Sequence, residues 1–140
     1  MPLKLTPAQR KKMFHLEVEQ AVLVPSTKAG QKKVKPATMQ RRVAEVRKYL
    51  SRKFGGYTSV RGVGGYYSDR KKKLIKEQVV KVTSFSTRKS FNKNKDAVLR
   101  KLSQLSKKWG QESMGYEHEG DLYYVSAGLK NKVRRRKKRK

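Results

Sequence analysis

Apolar residues recur with the period of an amphipathic helix in two segments of the chain. The first segment carries Met39, Val43, Val46 and Leu50, and the second carries Val98, Leu102, Leu105 and Trp109. Pro36 precedes the first stripe and Gly55 follows it, as expected for the first turn and the end of a helix. Asn94 and Asp96 are N-cap candidates for the second helix, and Gly110 would end it. The pattern therefore predicts two helices, each with one buried face.

Four segments rich in β-branched and aromatic residues predict strands, at 17–24, 57–67, 74–85 and 112–126. The last of them reads as one strand or as a tight hairpin, and the polar, basic residues 26–36 predict a loop. The order strand, helix, strand, strand, helix, strand is that of the split βαβ unit. We therefore predict an α+β, ferredoxin-like domain with a four-stranded antiparallel sheet and two helices on one face.

Charge divides the chain into a basic N-terminal arm (1–16), a globular domain (17–127) and a polybasic tail (128–140). Self-repulsion predicts that the tail stays extended until it meets an anion. No apolar run approaches the ~20 residues of a membrane span, and the N terminus lacks the apolar segment of a secretory signal, so we expect no membrane partner. The absence of cysteine excludes disulfides, thiolate zinc sites and cysteine nucleophiles.

The chain has 38 Lys and Arg against 10 Asp and Glu, a formal net charge of +28 over 140 residues. Such an excess is typical of proteins that bind a polyanion, because neutralised phosphates release counterions. We predict a non-catalytic nucleic-acid-binding protein with little sequence specificity, with RNA slightly favoured over DNA. It would be a ribosomal or ribonucleoprotein component, or a viral or nucleoid coating protein, beside other proteins of the complex. We expect no cofactor or metal, and a cytoplasmic location (nuclear in a eukaryote).

The predicted phosphate contacts lie on three basic surfaces. Positions on or beside the solvent face of the first helix supply Arg41, Arg42, Arg47, Lys48, Arg52 and Lys53. The second strand and the turn after it supply Arg61, Arg70, Lys71, Lys72 and Lys73. The tail supplies Arg134, Arg135, Arg136, Lys137, Lys138, Arg139 and Lys140. A basic helix face can lie along a phosphate backbone, with arginines engaging phosphates bidentately.

A spacing pattern in the middle of the chain resembles that of a family of small bacterial and phage-type proteins of uncharacterised function. Over about residues 54–113 the pattern consists of Phe54, Gly56, Thr58, Gly62, Gly64, Tyr66, Glu77 and the pair Gln111-Glu112. This chain has Tyr66 where the family has Trp, one extra residue before Glu77, and more positive charge. The resemblance implies a compact α+β domain and carries no activity.

Two alternatives remain open at this stage. His118 with Glu117, Glu119 and Asp121 is the one acid-rich patch, and it would serve a small metal-dependent nuclease or nucleic-acid-processing enzyme. Alternatively, the protein is an interaction module that forms a homodimer through its open sheet face. The tyrosines of the second strand would stack bases if they project from that open face. Otherwise they would line the core or the dimer interface. The glycines at 62, 64 and 65 do not form a nucleotide loop, because a strand follows them instead of a helix.

Overall fold

The computed structural model describes residues 3–128, and the predicted contacts from Arg134 to Lys140 lie outside them. The helices are α1 (Pro7–Lys11), α2 (Pro36–Phe54) and α3 (Arg88–Lys108). The strands are β1 (Val18–Pro25), β2 (Thr27–Lys28), β3 (Lys32–Lys33), β4 (Thr58–Ser68), β5 (Lys73–Ser86), β6 (Ser113–His118) and β7 (Asp121–Ser126). A single 3-10 turn, Ala29–Gln31, joins β2 to β3.

Helix α2 begins and ends where its sequence predicts. Pro36 occupies the first turn, where its missing N–H costs no helical hydrogen bond. At the other end Gly55 has a φ of 98°, the left-handed conformation that glycine adopts without strain, and its N–H donates to the Ser51 carbonyl at 2.7 Å.

Helix α3 begins earlier than Asn94 and Asp96 predict. Its N-cap is Thr87, whose hydroxyl accepts a hydrogen bond from the Ser90 N–H at 3.1 Å. Asn94 lies inside the helix instead, and its Nδ2 donates to the Ser90 carbonyl at 3.0 Å. The prediction was wrong because a short polar side chain can cap a helix or bond within it, and the sequence around 94–96 allows both.

The main sheet has five antiparallel strands in the order β4-β5-β1-β6-β7. The predicted last strand is a hairpin, because Glu119 and Gly120 take positive φ values of 52° and 88° and reverse the chain between β6 and β7. The α+β class is confirmed. The predicted four strands and two helices are matched only roughly by five strands and three helices in residues 3–128.

Helices α2 and α3 cover one face of this sheet. Their apolar stripes meet the inward side chains of the central strands in a core of Val22, Val24, Val43, Val46, Leu50, Val80, Val82, Val98, Leu102, Leu105, Trp109, Met114, Tyr116 and Val125. On the other face Phe85 and Tyr124 are exposed. The sheet therefore has one buried face and one open face.

The segment predicted as a plain loop is a small, ordered hairpin. Thr27 pairs with Lys33 and Lys28 pairs with Lys32, and the Val34 N–H donates to the Ser26 carbonyl at 2.8 Å. This hairpin, residues 26–34, follows directly from β1 and lies beside the β4–β5 pair. We call it the β2–β3 hairpin.

The buried stripe of α3 predicts a large effect of truncation. Leu102 is 2% exposed within the core, so Leu102→Ala should lower the free energy of unfolding by about 2–5 kcal/mol, through lost burial and the cavity left behind. Urea unfolding followed by circular dichroism measures this change. Gln104→Ala, at an exposed position of the same helix, is the control and should change little. An equal effect of both substitutions would contradict the assignment of the buried face.

Candidate active site

The long β4–β5 hairpin has two faces with different chemistry. Because paired residues in antiparallel strands share a face, Gly62, Gly64 and Tyr66 lie with their partners Val79, Glu77 and Ile75 on the face away from the helices. A Cβ built on Gly62 would meet nothing within 4 Å, and one on Gly64 would meet only the Glu77 carbonyl oxygen at 3.8 Å and Val79 Cγ1 at 4.0 Å. These two glycines, the glycine strip, leave open space beside Glu77.

The carboxylate of Glu77 is held by the start of the β2–β3 hairpin. Its Oε1 accepts hydrogen bonds from the Ser26 backbone N–H at 3.2 Å and from the Thr27 hydroxyl at 2.8 Å. The Glu77 side chain is half-buried. A carboxylate fixed by two donors across two elements has a defined direction, which an exposed surface glutamate lacks.

Glu77 differs from the carboxylates that form ion pairs, and it differs from Glu17, which accepts one backbone N–H, in having two donors. Glu45, Glu117 and Glu119 each pair with a lysine or arginine nitrogen at distances between 2.8 and 3.3 Å. Within residues 3–128, Glu77 forms no such ion pair, and both of its donors are neutral groups. Its negative charge is therefore available to a cationic ligand.

Tyr66 is the aromatic neighbour of Glu77 across the hairpin. Glu77 pairs with Gly64, so Tyr66, two residues along β4, is its diagonal neighbour on the same face. The Tyr66 hydroxyl accepts a hydrogen bond from Gln31 Nε2 at 2.5 Å, while 52% of the residue stays exposed. An aromatic face next to a carboxylate is a suitable environment for an organic cation.

A groove of about 1000 Å³ lies on the helix-facing side of the same hairpin, between β4–β5 and α2. Met39 and Val43 form part of its apolar wall, and Lys33, Arg47 and Arg61 line it with positive charge. Arg47 Nη2 donates to the Ser59 hydroxyl at 2.7 Å, and its guanidinium lies 5.2 Å from the centroid of the Tyr57 ring. Positive lining suits an anionic group, so this groove and the Glu77 face differ in the charge they accept.

The structure buries one of the predicted phosphate contacts, while phosphate binding itself stays a prediction. Arg42 is 4% exposed and faces the interior, so its predicted place on or beside the solvent face was wrong. Helical rotation places it beside the buried stripe, where it contacts main-chain carbonyls. Arg47 and Lys53 are half-buried. The remaining predicted residues of the described chain are exposed: Arg41, Lys48, Arg52, Arg61, Arg70, Lys71, Lys72 and Lys73.

The patch around His118 does not form a metal centre. In residues 3–128 no three His, Asp or Glu side chains are grouped so that they could hold a metal ion. His118 stacks on Phe91, with ring centroids 4.5 Å apart and planes at 8°. Its neighbours Glu117 and Glu119 form ion pairs with Lys81 and Arg88.

The tyrosines of the second predicted strand do not line the core, since Tyr57, Tyr66 and Tyr67 are all exposed.

The sequence contained a signal for this site that composition could not interpret. Tyr66, Glu77 and Gln111 all belong to the spacing pattern given in the sequence analysis, but the pattern does not show that all three contact the β2–β3 hairpin. Thr27 was missed altogether because it lies in a segment that reads as a polar loop. Only the strand register and the path of the β2–β3 hairpin bring it to Glu77.

Comparisons with known proteins give a likeness in fold. No protein-family model and no curated protein matches the chain. Two solved structures are similar: a phage SAM lyase in complex with S-methyl-5'-thioadenosine, at 16% identity and a TM-score of 0.56, and a phage SAM lyase in the apo state, at 15% and 0.54. Each match covers 85% of this chain and 98% of the other.

This finding contradicts the functional prediction made from charge. Both similar structures are of an enzyme, so the expectation of a non-catalytic, nucleic-acid-binding protein is corrected, together with its nuclease and interaction-module alternatives. The comparison also gives no support to the ferredoxin-like label. Nucleic acid as a partner stays an untested prediction. Among residues 3–128, none of the helices is both long and apolar enough to cross a membrane.

Proposed function

We propose that this protein is a lyase that cleaves S-adenosylmethionine and releases S-methyl-5'-thioadenosine. The likeness in fold to a phage SAM lyase supports the reaction class. The observation that carries the proposal is Glu77, a half-buried carboxylate bonded by two neutral donors and left without an ion-pair partner in the described chain. The face around it is open on the side of the glycine strip.

The charge of the substrate explains why such a carboxylate is suitable. The sulfur of S-adenosylmethionine is a sulfonium cation, whereas S-methyl-5'-thioadenosine is a neutral thioether. When the bond from sulfur to the amino-acid chain breaks, the bonding pair leaves with sulfur and the positive charge disappears. Because a lyase adds no water, the γ-carbon of the amino-acid fragment must form its new bond within the fragment. Either the fragment's own carboxylate attacks the γ-carbon, or the neighbouring carbon loses a proton and a double bond forms.

Glu77 is therefore assigned a role in binding and orienting the substrate. A carboxylate beside the sulfonium stabilises the charged ground state at least as strongly as a transition state in which that charge is fading, so this contact alone does not lower the barrier. It does favour the charged substrate over the neutral product. The open face of Tyr66, diagonal to Glu77, adds a cation–π contact on the same side.

The finer description of the fold is also a proposal. We infer that β1, α2, β4, β5, α3 and β6 form a split βαβ unit, to which β7 adds an edge strand. The strand order β4-β5-β1-β6-β7 supports this description. In that arrangement the site lies at the β4 edge, opposite the added strand.

Substitution of Glu77 tests the proposed function. Wild-type protein incubated with S-adenosylmethionine should release S-methyl-5'-thioadenosine, measured by liquid chromatography and mass spectrometry. Glu77→Gln keeps the shape but removes the charge, and two opposite unit charges about 4 Å apart attract by roughly 1–4 kcal/mol between bulk water and a protein surface. We therefore expect a loss of about 10- to 100-fold in kcat/KM, mainly through KM.

The control is Asp96→Asn, which removes an exposed carboxylate from α3 and should leave kcat/KM within about twofold, as expected of a surface substitution. If the wild-type protein neither binds nor cleaves S-adenosylmethionine, the proposed function is wrong. If it cleaves the substrate and Glu77→Gln does so equally well, the reaction class stands and the assignment of Glu77 fails.

We also propose that a second copy of the chain is a partner, through exposed apolar side chains of the β4–β5 hairpin. Val63 is 71% exposed and Tyr67 is 61% exposed, on the same face of β4, and large exposed apolar side chains near one another suit an interaction surface. Light scattering should give a mass above the 16.2 kDa of one chain.

The double substitution Val63→Asp and Tyr67→Asp should reduce the measured mass to that of one chain, because it places charge in the contact. Tyr124→Asp, at an equally exposed position on β7, is the matched control and should not. A single-chain mass for the wild-type protein at moderate salt would contradict this proposal without bearing on the lyase activity.

A further inference from the structure

We infer that Gln111 and Arg42 are positioning residues, which hold the Ser26–Thr27 turn so that its two donors fix the Glu77 carboxylate. This inference rests on the proposed function, because it gives these residues an effect on the cationic substrate. Neither side chain contacts Glu77 directly in the described hydrogen bonds. Both side chains instead donate to main-chain carbonyl oxygens of the turn, on the side away from the carboxylate.

Thr27 is hydrogen-bonded through both its side chain and its main chain. Its hydroxyl donates to Glu77 Oε1, while its carbonyl oxygen accepts from Gln111 Nε2 at 2.7 Å and from Arg42 Nη1 at 2.8 Å. The same Arg42 Nη1 donates to the Pro25 carbonyl at 2.7 Å. The carbonyls of Pro25 and Thr27 flank the Ser26 N–H in the chain, so fixing them fixes the direction of that donor as well.

Arg42 and Gln111 are themselves anchored to the segment after α3. Arg42 Nη2 lies 3.4 Å from the Trp109 carbonyl oxygen, and its guanidinium lies 5.0 Å from the centroid of the Trp109 ring. Gln111 Nε2 lies 3.3 Å from the same carbonyl oxygen. Burial lowers the pKa of the Arg42 guanidinium, and the negative charge of Glu77 opposes that shift.

Close packing at Gly110 adds a third constraint on the same hairpin. Gly110 has a φ of 67°, and a Cβ built on it would come within 3.0 Å of the Ala29 backbone nitrogen. The β2–β3 hairpin therefore lies directly against residues 109–111. The end of α3 is in this way connected to Glu77 through backbone that has little room to move.

If Gln111 served only the fold, its loss would weaken the binding of all ligands alike. A role through Glu77 predicts a selective effect instead, so the two roles can be told apart. If Gln111 acts through Glu77, its loss should weaken binding of the sulfonium substrate and leave the neutral thioether unaffected. Gln111→Ala should raise the dissociation constant of S-adenosylmethionine about 3- to 10-fold, the effect of one hydrogen bond. The dissociation constant of S-methyl-5'-thioadenosine, measured by the same calorimetry, should change less than twofold.

A double-mutant cycle separates the two roles further. In a Glu77→Gln background, Gln111→Ala should cause no additional loss of S-adenosylmethionine affinity, because the charge that it positions is already absent. Arg42→Lys keeps the charge but loses the planar fork, in which one nitrogen bonds the Pro25 and Thr27 carbonyls while the other reaches the Trp109 carbonyl, so it should show the same selective loss. Gln104→Ala is the control for an exposed glutamine on α3. Equal losses for both ligands, or additive losses in the cycle, would overturn the inference.

A measurement without ligand keeps this inference distinct from the proposed function. Amide hydrogen exchange at Ser26, followed by NMR, reports the bond from its N–H to Glu77. Gln111→Ala should speed that exchange about 3- to 10-fold, as Glu77→Gln does, whereas Gln104→Ala should not. If the wild-type protein does not bind S-adenosylmethionine, the lyase proposal fails, and the Ser26 exchange still decides the positioning. An unchanged rate in Gln111→Ala would refute it.

Discussion

The buried guanidinium of Arg42 is the contact on which the organisation of the site depends. It donates to the carbonyls of Pro25 at the end of β1 and Thr27 at the start of β2, and it reaches Trp109 after α3. One side chain of α2 therefore joins separate parts of the chain. A buried cation without acceptors is costly, and main-chain carbonyls meet that requirement without an ion pair. The turn at residues 26–27 is consequently fixed in space.

The sequence predicted the elements well wherever one physical signal dominated. The apolar stripe of α2, with Pro36 before it and Gly55 after it, allows one interpretation, and the structure has that helix. The start of α3 was misplaced because Thr87, Asn94 and Asp96 can all cap a helix, and the structure uses Thr87. The hairpin at 119–120 was left open between two interpretations, since a positive φ at Glu119 has no signature in side-chain type.

The site was less predictable because its residues are distant in sequence and ordinary in type. Thr27, Glu77 and Gln111 are common polar residues, and their meaning comes from a register and a turn that join positions 50 and 84 apart. The positive charge of the chain led to a wrong functional prediction. The cationic excess is a property of the whole surface, which bears on association and solubility but does not identify a reaction. Arg42 shows the same limit, because a basic residue on a mostly basic helix was expected in solvent and lies in the interior.

A net charge of +28 imposes a specific condition on any site for a cation. The mean field of the protein repels such a ligand, and at physiological salt that repulsion is screened over about 8 Å, so attraction must come from a negative group within contact distance. An arginine or lysine paired with that group would cancel it. Glu77 meets the condition because its donors are an amide and a hydroxyl, which orient the carboxylate without neutralising it. Arg42 is kept on the far side of the turn, where its guanidinium donates to main-chain carbonyls and acts on Glu77 only through space. The separation of the guanidinium from the carboxylate by one peptide unit is therefore what allows a strongly basic chain to present a usable negative charge.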